Sequence, residues 1–404
     1  MARVLLVPHA PTSGLAHVGA CLAVGAELRA RGHEIEMAYG GALPELAERE
    51  GFAVHRVPEV APSREWEPSG WFSSTAELVA LVREHLAVLE RFRPDAAVTS
   101  SGIAGRLALE LAGVPQLHLM HYLPGTRYGR RAIVWDDRLR DARHPRRLAR
   151  VLRARARRMR HRRPPHTPAV VEAARRELGL PPAGPDAIGG CQDSLVALTT
   201  APFLDPASGL PEHWRYAGPV TWSAGGELPD RGARRGAGRP LVYVTQGSTG
   251  KRALLERAVR ELAAEPLDLL VSTAGLCDPA DVVRIAPNAR AARLLPGRAC
   301  LEAADVAVIH GGHLTLSDAL VSATPVVITP FRRDQVGNVN RVERLGAGVG
   351  VWPAPVLGAG ITRAVRKLLT DPRYASRSRE IAGRLRNGWG GAHNAADMVE
   401  GLVA

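Results

Sequence analysis

Aromatic side chains are scarce in this chain: Phe, Trp and Tyr make up 4% of its 404 residues. Single-stranded nucleic acids are gripped largely by stacking bases on such rings, so a chain this poor in them is a weak candidate for that work. Cysteine is scarcer still. Cys21, Cys191, Cys277 and Cys300 lie far apart and show no C-x-x-C spacing, which argues against a disulfide framework or a zinc site and fits reduced thiols in a cytoplasm. Lysine occurs only as Lys251 and Lys367, so arginine is the default cation. Long apolar runs are missing as well. MARVLLVPHA breaks at Pro8 and His9, too early for a signal core, and no uninterrupted apolar stretch approaches membrane-spanning length. A soluble cytoplasmic protein is expected.

What is present suits a large globular core. With 46% hydrophobic and 23% charged residues, two domains are expected rather than one. The net charge of +13 is concentrated: residues 138–163, RLRDARHPRRLARVLRARARRMRHRR, hold thirteen Arg and one Asp, and the remainder is nearly neutral. Leu148, Leu152 and Met159 fall on one side of a helix there, which suggests an amphipathic basic helix lying on its domain. Peripheral contact with an anionic surface is the alternative. No aromatics interleave these arginines, so nucleic acid is not expected as a partner.

Short β runs alternate with helical segments along the whole chain, the pattern of an α/β protein with parallel sheets. ARVLLVP (2–8) precedes an amphipathic helix at about 18–31; EIEMAY (34–39) is a strand; 75–92 has helical period; DAAVTS, a helix near 103–112 and PQLHLM follow. After the basic segment, Thr167 caps a helix with Pro168 at its first position, and SLVALTT (194–200) is a strand. Residues 223–239, SAGGELPDRGARRGAGR, read as a linker between a domain at 1–222 and another at 240–387. The alternation restarts with PLVYVTQ (240–246), a helix near 251–264, LDLLVST (267–273), ARLLP (292–296) and VAVI (306–309). Two doubly wound sheets facing across a cleft follow, with ligands outside the carboxyl ends of the strands.

One such end is HGGHLTLSDALVSATPVVITPFRRDQ, 310–335, where a strand passes through glycines into a short helix. Small residues let the backbone approach a ligand, and the amides that open the helix favour an anion. In this stretch His310, Gly311, Gly312, Thr315, Asp318, Pro325, Asp334 and Gln335 resemble a pattern of bacterial family 1 glycosyltransferases with the two-domain GT-B fold. The likeness continues in VYVTQGSTG (242–250), in the strand, His17 and LRARGHEIEMA of the first domain, and in a helix near 393–403 that would cross back to it. It covers nearly the whole chain and is weakest at 40–90 and 125–190.

The resemblance implies transfer of a sugar, with inversion, from a UDP- or TDP-type donor to a hydroxyl or other nucleophile of a small secondary-metabolite acceptor. The nucleotide sugar is then a co-substrate, with no cofactor and no metal. His310, Thr315 and the glycine turn would hold the diphosphate together with Ser248 and Thr249. Asp318 would take the ribose hydroxyls, and Asp334 with Gln335 the sugar hydroxyls. His313 would reach the phosphates or line the cleft. The segment 293–305, which contains Leu295, aligns with the loop that meets the base, although Gly297 stands where a Gln is usual. Base preference is therefore unreadable.

His17 is the implied general base, kept neutral by the positive end of the helix behind it. Without the resemblance, a lone His in a turn reads as structural. His33, after Gly32, reads as a helix C-cap. In many relatives an aspartate orients the base, and counting along RPDAAVTSSG puts Ser100 in its place. A serine can fix a ring tautomer but cannot offset imidazolium with a charge. A carboxylate from Glu65, Glu67, Asp136 or Asp137 is an open substitute, and Asp95 is poorly placed for it. Two other functions share the fold: a nucleotide-sugar epimerase, and a catalytically weak nucleotide-sugar-binding auxiliary protein.

Overall fold

The computed structural model describes residues 1–8, 15–41, 44–58, 72, 74–121, 169–184, 187–188, 190–223, 228, 238–331, 333–352 and 360–404. The basic segment 138–163, Thr167 and Pro168, the carboxylates Glu65, Glu67, Asp136 and Asp137, and most of the expected linker lie outside the described residues. The chain divides into two compact units: Met1–Thr199 with Ala207–Ala217 and Ala392–Ala404, and Thr200–Pro206 with Gly218–Gly391.

The first unit runs β1 (Arg3–Pro8), α1 (Leu15–Ala30), β2 (Glu34–Tyr39), α2 (Pro44–Arg49), β3 (Ala53–Arg56), α3 (Thr75–Phe92), β4 (Ala96–Ser100), α4 (Ile103–Leu111), β5 (Gln116–Met120), α5 (Ala169–Glu177), β6 (Leu195–Leu198) and β7 (Trp214–Tyr216). Its parallel sheet has the order β3-β2-β1-β4-β5-β6-β7. The central strands β4, β5 and β6 are buried at every position, as expected of strands covered on both faces. Local signals explain the helix ends. Ser74 accepts a bond from the Glu77 amide at 3.1 Å to open α3. Arg93, left-handed at φ 50°, closes that helix through a bond to the Leu89 carbonyl.

Helix α1 departs from expectation. It begins at Leu15 rather than near 18, so His17 sits in its first turn and not ahead of it. It is also apolar nearly all round, with Val18, Ala20, Cys21, Leu22, Val24 and Leu28 buried. The reason is that it is covered twice: by β1 and β4 on one side, and by a helix at Ala392–Val403 from the far end of the chain on the other. The position of Gly25 shows how close the helix lies to the sheet, since a Cβ there would stand 2.6 Å from Leu6 Cδ1.

The second unit runs β8 (Leu241–Thr245), α6 (Arg252–Leu262), β9 (Asp268–Ser272), α7 (Pro279–Ile285), β10 (Ala289–Ala292), α8 (Gly297–Ala303), β11 (Val306–Ile309), α9 (His313–Val321), β12 (Val326–Ile328), α10 (Arg333–Leu345), β13 (Gly348–Gly350), α11 (Gly360–Thr370) and α12 (Pro372–Arg386). The order is β10-β9-β8-β11-β12-β13, all parallel. The strand expected at 292–296 lies earlier, as ARAA pairs with β9 from Ala289 opposite Leu269. The leucine pair that suggested a strand is beyond it: Leu294 is exposed, and Leu295 packs against the core from outside the sheet. The helix at Ala392–Val403, α13, belongs to the first unit.

Candidate active site

Each sheet reverses its winding once, between β1 and β4 in the first unit and between β8 and β11 in the second. Crevices for ligands open at the carboxyl ends of strands at such points. His17 and Ser100 stand at the first; Gly247, Ser248, Thr249 and His310 stand at the second.

In the first unit, β4 ends in Ser100, whose Oγ lies 2.8 Å from His17 Nδ1. The residue that counting placed opposite His17 is therefore in contact with it. Burial pulls the His17 imidazole down to about 4, so the ring is neutral at physiological pH. Ser100 is itself fully buried, and its Oγ is also 3.4 Å from His121 Nε2. The rings of His17 and His121 lie 4.8 Å apart, tilted by 42°. On its other side, His121 Nδ1 is 3.1 Å from Thr199 Oγ1, which donates to the Met120 carbonyl at 3.2 Å. A separate pair joins Thr99 Oγ1 to His118 Nδ1 at 3.0 Å; burial drives the His118 imidazole well below its ordinary value, with Arg106 and His17 adding to the effect. His121 escaped the sequence reading although the signal was there. It is the first residue after an apolar strand, where ligand residues of such sheets lie.

In the second unit the glycines are explained by a histidine. The His310 ring is buried at the end of β11 and fits between two backbone approaches. A Cβ on Gly247 would come 2.6 Å from His310 Cε1, and one on Gly312 would come 2.4 Å from His310 Nε2. Gly311, at φ +86°, makes the turn, and a Cβ there would strike Ile328. The His310 ring stacks on Phe331, centroids 6.4 Å apart, and the Lys251 ammonium lies 5.4 Å from the Phe331 centroid. Gly312 opens α9 without a side-chain cap, so the amides of that first turn, with His313 and Thr315 in it, point out of the helix. Ser248 and Thr249 form a turn closed by the Gly250 amide on the Gly247 carbonyl.

Behind the glycine turn stands a polar brace that sequence reasoning missed. The Asn338 amide donates to the Gly311 carbonyl at 2.7 Å, and Arg341 donates to Asn338 Oδ1 at 2.8 Å. Arg341 also grips Asp205 with two bonds, at 3.0 and 2.6 Å, and Thr200 donates to the same carboxylate. Gln335 is buried, its Oε1 accepting from the Phe331 amide at 2.8 Å, while Asp334 is half-buried in the first turn of α10. The available signal was helical spacing of polar residues, Gln335, Asn338 and Arg341, on the face of α10 that is buried.

Asp318 is buried on α9, where burial raises its carboxyl to about 7 against the opposing pull of Arg298, 3.4 Å away. Near neutrality such a group can accept hydrogen bonds or donate one. Arg298 is in turn held by Thr221, and its amide by Ser223 Oγ at 3.2 Å. Leu295 lies in the loop after β10, half-buried. Among the described residues no three His, Cys, Asp or Glu side chains gather as a metal site would require, and no helix is long and apolar enough to cross a membrane.

Residues 267–396 match the model for the C-terminal domain of erythromycin biosynthesis protein CIII-like proteins. A PGL/p-HBAD biosynthesis rhamnosyltransferase of Mycobacterium bovis is 29% identical over 96% of the chain and 84% of its own length. The 4'-demethylrebeccamycin synthase of Lentzea aerocolonigenes is 28% identical over the full length of both. Glycosyltransferase VinC, crystallised with dTDP, superposes with a TM-score of 0.72 at 16% identity over 99% of each chain. The chain is a glycosyltransferase with the GT-B fold, similar to enzymes of natural-product biosynthesis. In this glycosyltransferase of secondary-metabolite kind, all the residues expected at the donor lie in the second unit, and His17 in the first.

Proposed function

We propose that the glycosyltransferase moves a sugar from a UDP- or TDP-type donor to a hydroxyl of a small secondary-metabolite acceptor, with inversion, and that His17 is the general base. The observation that carries the reading is the His17–Ser100 contact of 2.8 Å, which holds the ring by Nδ1 at the carboxyl end of β4. A neutral imidazole takes that proton as the oxygen attacks the anomeric carbon, and the nucleoside diphosphate leaves. One displacement without a covalent intermediate inverts the centre.

On the donor side, His310, Thr315 and the amides of Gly312 and His313 face the diphosphate, with Ser248 and Thr249 from the turn after β8. The positive end of α9 suits that charge. Asp318 takes the ribose hydroxyls, and Asp334 and Gln335 the sugar hydroxyls. The relative crystallised with dTDP supports a nucleoside diphosphate as the leaving group. The nucleotide sugar is a co-substrate, and the reaction uses neither metal nor another cofactor.

The test is to incubate the protein with UDP- and TDP-sugars and follow slow donor hydrolysis. Free sugar with nucleoside diphosphate supports a transferase. An epimeric sugar nucleotide would replace this reading with an isomerase, and binding without turnover would replace it with an auxiliary protein.

A further inference from the structure

We propose that Lys251 binds the donor diphosphate and that its ammonium offsets the charge gathering there as the nucleoside diphosphate leaves; the inference rests on the donor reading above. Three strand ends meet at this point. The turn 247–250 follows β8 and delivers Lys251, His310 ends β11, and Phe331 lies in the loop after β12. The turn is tight. Gly247 is left-handed at φ +65°, its amide donates to Thr245 Oγ1 at 3.1 Å, and a Cβ on Gly250 would stand 2.4 Å from the Gln246 carbonyl oxygen. Glycine at both places lets the chain double back. Lys251 leaves the turn with its ammonium 5.4 Å from the centroid of Phe331, the ring that stacks on His310.

What holds this lysine sets it apart from the arginines of the same unit. Arg252 pairs with Glu256 and Asp281, Arg298 with Asp318, and Arg341 with Asp205. A carboxylate that fixes a cation also cancels its field. Lys251 is exposed and makes no ion pair or hydrogen bond among the described residues, and the face of an aromatic ring holds an ammonium without neutralising it. Helix α6, eleven residues long, opens directly after it without a side-chain cap, so the positive end of that dipole adds to the same charge. When the bond from the anomeric carbon to the phosphate oxygen breaks, its electron pair stays on that oxygen and the diphosphate gains one negative charge. Hydroxyls and amides can only turn dipoles toward it. A compact ammonium on a flexible stem brings a whole charge to a phosphate as a point contact.

Equilibrium titrations of UDP and TDP beside uridine and thymidine isolate that contact, because each pair differs only in its phosphates. Lys251→Gln should bind both diphosphates about tenfold more weakly and the nucleosides as the unaltered protein does, while Lys251→Arg should keep most of the affinity. In slow donor hydrolysis Lys251→Gln should also lower kcat, since the charge grows toward the transition state. Undiminished diphosphate affinity in Lys251→Gln, an equal loss for the nucleosides, an equal loss in Lys251→Arg, or an unchanged kcat would each overturn the inference and leave the donor reading standing. An unaltered protein that binds neither diphosphate would remove the donor reading, and this inference with it.

Discussion

His310 shows how one side chain dictates its neighbours. Its ring occupies the space that a methyl group on Gly312 would need, and Gly312 has an ordinary backbone conformation, φ −64°. Gly312→Ala therefore costs no backbone strain and acts only by displacing the ring. Donor affinity by calorimetry should fall in this variant as it does in His310→Ala and Asp334→Ala, about ten- to a hundredfold for loss of a charge-assisted contact. Unchanged affinity in all three would remove the donor assignment. For His17, the working form is the neutral one, and burial lowers its titration to about 4. At saturating donor, where titration of the Asp318 carboxyl at about 7 falls on donor KM, kcat should stay flat as pH falls from 8 to about 5, then decline through about 4 as the His17 ring protonates, with tryptophan fluorescence confirming that the fold persists. A decline centred at the ordinary histidine value would show the ring to be solvated. His17→Ala should bind donor normally yet lose about two to four orders of magnitude in transfer.

Among the elements, α10 matters for what it holds as much as for what it presents. Asn338→Ala removes the donor to the Gly311 carbonyl and frees one side of Arg341. An unsatisfied buried carbonyl costs about 1–3 kcal/mol, so thermal unfolding of the second unit should fall and donor affinity with it; an unaltered transition would show the brace to be dispensable. This element also marks the limit of what the sequence made legible. Strands such as EIEMAY and VAVI, and the helix at Thr75–Phe92, were readable because period and caps are local signals. Ser100 was found by counting along one strand, since a parallel register carries the end of β4 to the end of β1. Asn338, Arg341 and Asp205 were not, because their meaning comes from residues 27 to 136 positions away. The short edge strand β10 failed for another reason. Its small residues carry no apolar signal, and the louder Leu294–Leu295 pair lies outside it.

On the scale of the whole molecule, the chain leaves the first unit and returns to it. Arg31, just after α1, donates to Asp397 at 2.6 Å and Glu400 at 2.8 Å of α13, and His33 meets Glu400 at 3.0 Å. The expected cap at His33 is thus also a clasp on α13, which lowers the Glu400 carboxyl below its ordinary value. Because these pairs are partly exposed, solvent screens them and each contributes little, and the larger stake is the apolar flank of α1 that α13 covers. During synthesis that flank waits. Between Ala217 and Ala392 the ribosome must add 175 residues before the covering helix emerges, which at about 5–20 residues per second takes roughly 9–35 s. For that interval the nascent first unit carries an open greasy seam, a natural landing place for chaperones. Nascent chains arrested with α13 still inside the exit tunnel should be cut by protease in α1, and those arrested after its release should resist.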